Sequence, residues 1–91
     1  MRAVYIAEFG LPDNLEIREV PEPPRPENTQ VLVRVMAAGL NRADLLQARG
    51  AYPPPAGYSP NIPGLEFAGE VAAIGSGVQT WKIGDRVFGI T

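Results

Sequence analysis

The chain contains no cysteine and no histidine. Their absence removes disulfides, thiol nucleophiles, Ser/His and Cys/His dyads, and every zinc site built on imidazole or thiolate. Long apolar runs are missing too. The opening MRAVYIAEF alternates in the manner of a strand and carries charges, so it reads as neither a signal peptide nor a membrane span, and the cytoplasm is the expected setting. With a net charge of −2 and no basic block, neither nucleic acid nor an anionic membrane is indicated, and acidic substrates are not favoured. A phosphate-cradling glycine loop is lacking as well. Gly75-Ser76-Gly77 has no third glycine and runs on into the strand-like VQTW, so the dinucleotide-binding fold is not encoded in this segment.

What is present is an ordinary globular composition, 45% apolar over 91 residues. That length makes one small domain, large enough for a single core but near the size at which such a core is only marginally sufficient. Polar chemistry must come from ten carboxylates, eight basic side chains of which seven are arginine, three tyrosines, and a few amides and hydroxyls.

Periodicity gives a first strand over Arg2 to Glu8, with Val4 and Ile6 facing one way. Gly10-Leu11-Pro12-Asp13-Asn14 breaks it, and a second strand is expected from Leu15 to Val20. Pro21, Pro23, Pro24 and Pro26 then form an extended connector that cannot join a ladder. Val31 to Ala38 has apolar residues on both faces around Arg34, the pattern of a central, nearly buried strand. A short helix follows from Asn41 to Arg49, with Asn41 as N-cap, Asp44 in the first turn, Gly50 as its stop, and Leu45 and Leu46 as its apolar contact. Between Ala51 and Pro63 lie five prolines and two tyrosines, which predict an irregular surface loop. Strands return over Phe67 to Ile74 and Arg86 to Ile90, with turns at Gly75-Ser76-Gly77 and Gly84-Asp85. Short strands with one brief helix and turns at this spacing argue a small, strongly bent, mainly β barrel, and the chain ends at Thr91 in what reads as mid-element.

The stretch from Asn41 to Val71 is the most informative, because loops of this kind tend to carry function. Asn41 and Asp44 are three apart at the helix start, a spacing that suits a capping box as well as a site. An Asn side chain both donates and accepts, as orienting a carboxamide or a carbonyl oxygen requires. Tyr52, stiffened by Pro53-Pro54-Pro55, offers a phenol donor and an aromatic face, or simple surface packing. Glu66 in GLEFAG reads as a half-buried carboxylate paired with an arginine, with a catalytic role as the lesser alternative. Arg42 and Arg49 read as solvated surface charges.

Together, Asn41-Arg42-Ala43-Asp44, Tyr52, Gly64-Leu65-Glu66 and the ordered Gly69, Val71, Gly75, Val78, Gly84-Asp85 and Val87 resemble the N-terminal catalytic domain of zinc-free medium-chain dehydrogenases/reductases. The branch they resemble is that of the quinone oxidoreductases, which includes zeta-crystallin. Each glycine alone is a weak sign, whereas the ordered series is fairly specific and covers most of the chain.

The resemblance implies a GroES-like fold, mainly β with a short helix, in which a partly open barrel carries the helix and a long loop on one side and is incomplete at its C-terminal end. Residues 1–91 would be the N-terminal substrate domain, with a Rossmann domain expected after residue 91. Leu65 stands where the family's zinc-binding histidine would be, and Ala37-Ala38-Gly39-Leu40-Asn41 lacks the expected cysteine, so the implied chemistry uses no zinc. By the same resemblance Asn41 lies beside the nicotinamide of NADPH and orients it. Tyr52 is the active-site tyrosine that donates to the acceptor, and Asp44 fixes the helix entrance and holds a water for proton delivery.

The implied parent enzyme reduces a quinone or other electrophilic carbonyl acceptor, and this segment alone is expected to be inactive. Choice between NADPH and NADH would be written in the absent domain. A homodimer of the full-length enzyme is left open. Two binding-module readings compete: a free-standing co-chaperonin-like domain with Asn41 to Pro63 as its partner loop, and a ligand for an aromatic groove through PEPPRP or YPPPAGY.

Overall fold

The computed structural model describes residues 1–10 and 14–91. The expected break at Leu11-Pro12-Asp13 lies outside the described residues. Among the described residues, five strands and one helix follow the order β1 (Arg2–Ile6), β2 (Leu15–Glu19), β3 (Val31–Ala37), α1 (Arg42–Ala48), β4 (Glu66–Ile74) and β5 (Arg86–Ile90). The strands make a two-stranded sheet, β1-β2, and a three-stranded sheet, β3-β4-β5, and do not close into one barrel. The chain divides into two compact units, residues 1–22 with 40–65 and residues 23–39 with 66–91.

In the first unit β1 and β2 pair antiparallel with Val4 opposite Ile17 and Ile6 opposite Leu15. Ile6 is fully buried, the anchor of a small core that also takes Ala48 from the helix. On the other face, the Arg18 guanidinium lies 4.0 Å from the centre of the Tyr5 ring and pairs with Glu16. Such stacked, exposed cations stabilise weakly, and the pair mainly tidies the outer surface.

Seven residues are too few for a helix to hold itself in water, so α1 depends on its ends and its packing. Both ends are closed. Asn41 is the N-cap, in extended conformation, of a capping box with Asp44. At the other end the N–H of Gly50 bonds to Gln47 O and that of Ala51 to Leu46 O, both at 2.9 Å, which is a Schellman motif. Gly50 sits at φ +81°, a conformation that costs a side-chain-bearing residue dearly, which is why the helix stops there. The buried face is Asp44, Gln47 and Ala48 rather than the expected leucines, and Leu45 is exposed. Spacing of three and four residues puts those positions on one side.

In the second unit β4 is central and β3 is an edge strand, contrary to the expectation that β3 would be central and nearly buried. The C-terminal half of β3 is exposed. The β3–β4 register shifts at Leu32/Val33, where β4 carries the extra residue Ala72, and again at Val35/Ala37, where β3 carries the extra residue Met36, so each strand is bulged once. A Cβ at Gly69, opposite Val35, would collide with the Arg34 carbonyl oxygen, so this bulged approach requires glycine.

Candidate active site

The structure brings Asn41 and Asp44 into direct contact in the first unit. The Asn41 backbone N–H donates to Asp44 Oδ2 at 2.9 Å, and the Asp44 N–H donates to the Asn41 carbonyl oxygen at 3.0 Å. One carboxylate oxygen of Asp44 is thereby committed to the helix start. Its other oxygen, Oδ1, and the Asn41 amide nitrogen Nδ2 are both buried with no hydrogen-bond partner among the described residues. Asp44 as a whole is only 9% exposed. Buried donors and acceptors are almost always paired, because leaving one unpaired costs about 1–3 kcal/mol, so two orphans on adjacent residues ask for a ligand or water.

Tyr52 lies just beyond the Schellman motif and is 49% exposed. Among the described residues its hydroxyl bonds to neither Asn41 nor Asp44, so the phenol is free to meet something outside the chain. Tyr58 is more exposed still, on the outer side of the same loop. Arg42 and Arg49 are exposed, as expected of solvated charges.

The loop from residue 51 to residue 63 is irregular, as expected, but it is tied down at its far limb by two side chains the sequence reading did not single out. Gln47 Nε2 donates to the Pro60 carbonyl at 3.0 Å. Asn61 Nδ2 donates to the Ile6 carbonyl at 2.8 Å, while the Ile6 N–H donates to the Asn61 carbonyl at 2.7 Å. For Gln47 a signal was available: it stands three residues after Asp44 and so on the same helix face. For Asn61, whose partner is 55 positions away, there was none.

Glu66 belongs to the second unit and departs from expectation. It is exposed, and among the described residues it forms no ion pair with an arginine. Its side chain instead lies so close to Gly39 that a Cβ there would overlap the carboxylate. Among the described residues no cluster of carboxylates is arranged to hold a metal ion. No helix is long and apolar enough to cross a membrane among them.

Two structural features therefore define the candidate site, a short helix capped by an Asn/Asp pair with spare polar atoms and a proline loop that presents a tyrosine. The chain belongs to the alcohol dehydrogenase GroES-like domain family, whose model matches residues 27–90. It is 41% identical over 88 residues to a quinone oxidoreductase of Lama guanicoe, covering 97% of this chain and 26% of the relative. It is 43% identical over 91 residues to a synaptic vesicle membrane protein VAT-1 homolog of Rattus norvegicus, covering 97% of this chain and 22% of that protein. Among solved structures, a quinone oxidoreductase of Escherichia coli in complex with NADPH superposes with a TM-score of 0.82 at 35% identity, over 97% of this chain and 26% of that one. The chain thus spans about a quarter of the length of these relatives. The expectation of a GroES-like domain from the medium-chain dehydrogenase/reductase family is borne out, and the relatives support an oxidoreductase parent.

Proposed function

We propose that this chain is the substrate-domain part of an NADPH-dependent enzyme that reduces quinones or related electrophilic carbonyl acceptors without zinc. The observation that carries the reading is the pair of buried orphans at the start of α1. Asn41 Nδ2 is a donor and Asp44 Oδ1 an acceptor. A carboxamide offers the complement, a carbonyl oxygen and an NH₂ group, so the two residues fit the nicotinamide end of the cofactor. When bound, NADPH supplies a hydride.

Everything else falls to the chain's own residues. Asn41 orients the carboxamide by donating to its oxygen, and Asp44 Oδ1 accepts from its NH₂ or from a water that brings a proton to the acceptor. Tyr52, with its exposed hydroxyl, donates to the acceptor oxygen and so favours the negative charge that grows there as reduction proceeds. Capping and catalysis are compatible in Asn41 and Asp44 because the capping box uses Asp44 Oδ2, the Asn41 side-chain oxygen and backbone groups, leaving Asn41 Nδ2 and Asp44 Oδ1 spare.

Zinc independence is supported by the composition, since the chain has neither thiolate nor imidazole, and by Leu65 in the position of the family's histidine ligand. The co-chaperonin-like alternative needs a mobile loop. Here the loop holds five prolines and is fastened at Pro60 and Asn61, which favours a rigid site wall. A cytoplasmic setting goes with the proposed activity.

The test is to purify the native-length protein carrying this sequence and follow NADPH consumption with 1,4-benzoquinone and, separately, NADP⁺ reduction with simple alcohols. Quinone-dependent turnover that survives a chelator supports the reading. Alcohol-dependent NADP⁺ reduction alone, or no turnover at all, refutes it.

A further inference from the structure

We infer that Gln47 is a positioning residue whose side-chain amide clamps the proline loop to α1 and thereby sets where Tyr52 stands relative to Asn41 and Asp44. The inference rests on the functional reading above only for the roles of those three residues.

Gln47 is 7% exposed, an unusual place for a long amide unless its polar atoms are used. An apolar side chain of similar length would fill the same space with no hydrogen-bonding demand, so the amide is there for its bond to Pro60. That bond matters because the loop is poor in others. Its five prolines have no N–H to give, and among the described residues the one backbone hydrogen bond inside the segment is from Tyr58 N–H to the Pro55 carbonyl at 3.3 Å.

Both limbs of the loop line one cavity with this side chain. Gln47 lines one small cavity with Pro53, Pro60, Phe9 and Gly50, so both limbs abut it. Pro53 is the direct neighbour of Tyr52. Pro60 directly precedes Asn61, which is fixed to Ile6. Without the Gln47 bond the far limb keeps its hold at Asn61 but loses its hold on the helix, and the cavity that Pro53 lines beside Tyr52 loses a fixed wall. Because Gln47 and Asp44 share one helix face, the clamp references the loop to the element that carries the site.

The experiment uses the native-length protein with Gln47→Met, Tyr52→Phe and the double variant. Thermal stability, kcat and KM for the quinone are measured, together with amide hydrogen exchange across residues 51–62. For Gln47→Met the inference expects faster exchange in the loop and a fall in kcat of about tenfold to a hundredfold, as a small misplacement of a reacting group produces. In the Tyr52→Phe background Gln47→Met should cost little more, because a residue that acts through Tyr52 has nothing left to position. Unchanged loop exchange overturns the inference, as does a loss in the Tyr52→Phe background equal to that in the wild type. If Tyr52→Phe alone costs nothing, the functional reading falls, and loop exchange by itself decides whether the clamp exists. Gln47→Glu keeps the shape and removes the donor, and is read the same way if Gln47→Met does not fold. If neither variant folds, Gln47 serves global stability and the inference is overturned.

Discussion

Ile6 and Asn61 hold each other through two hydrogen bonds, Ile6 N–H to the Asn61 carbonyl at 2.7 Å and Asn61 Nδ2 to the Ile6 carbonyl at 2.8 Å. The bonds close a ring between the last residue of β1 and the end of the proline loop. Ile6 is fully buried, so its carbonyl has no water to fall back on. Asn61→Ala should destabilise the protein by about 1–3 kcal/mol, the cost of orphaning a buried acceptor. Asn61→Asp should cost more, since it sets a second acceptor against that carbonyl. Urea unfolding with a shifted midpoint and an unchanged slope is the check.

Gly69→Ala tests the bulged approach of β3 to β4. The added Cβ meets the Arg34 carbonyl oxygen, a backbone atom with little freedom to retreat. A loss of about 1–3 kcal/mol is expected, as for other overpacked sites, while neighbouring Ala68→Gly should be milder. If Gly69→Ala is neutral, β3 and β4 lie farther apart than described.

How much of this was readable in advance depends on how local each determinant is. Strand β5 and helix α1 were legible nearly to the residue, because Gly84, Asn41 and Gly50 act on their immediate neighbours. The placement of β3 was not. Val31, Val33 and Val35 on one face with Leu32 and Met36 on the other report that both faces are apolar, and say nothing of how many strands lie alongside. Gly75 was read as a turn residue, yet what demands glycine there is close approach: a Cβ would strike the backbone of Asn28, a contact set by distant pairing. In the site, Asn41 and Asp44 were found because capping is a three-residue rule. Gln47 and Asn61 escaped because their partners are 13 and 55 positions away. The expected Glu66 ion pair failed because a carboxylate among apolar residues need not be buried, and here β4 begins exposed.

Removal of metal should have no effect. The native-length protein, dialysed against a chelator and then analysed by elemental emission, is expected to bring no stoichiometric zinc to this domain and to keep its full quinone-reducing rate. Loss of activity that zinc restores would contradict the zinc-free assignment.

Tyr52→Phe keeps the ring and removes one donor from an exposed position whose hydroxyl has no hydrogen bond among the described residues. Thermal stability should be unchanged. If the hydroxyl acts chiefly in the transition state, kcat should fall about tenfold to a thousandfold with little change in KM. Equal rates in wild type and variant would reduce Tyr52 to surface packing.

The central claim is that Asn41 serves a ligand as well as the helix, and Asn41→Ser separates the two roles in one protein. Serine caps a helix about as well as asparagine, within a few tenths of a kcal/mol, but it has no amide to reach a carboxamide oxygen. The measurement is the NADPH dissociation constant and kcat of the native-length variant beside its melting temperature. The account predicts an unchanged melting temperature with NADPH binding and kcat each weakened at least about tenfold, the worth of one lost buried hydrogen bond. Wild-type binding and turnover in a folded Asn41→Ser protein would contradict it and leave Asn41 a helix cap alone.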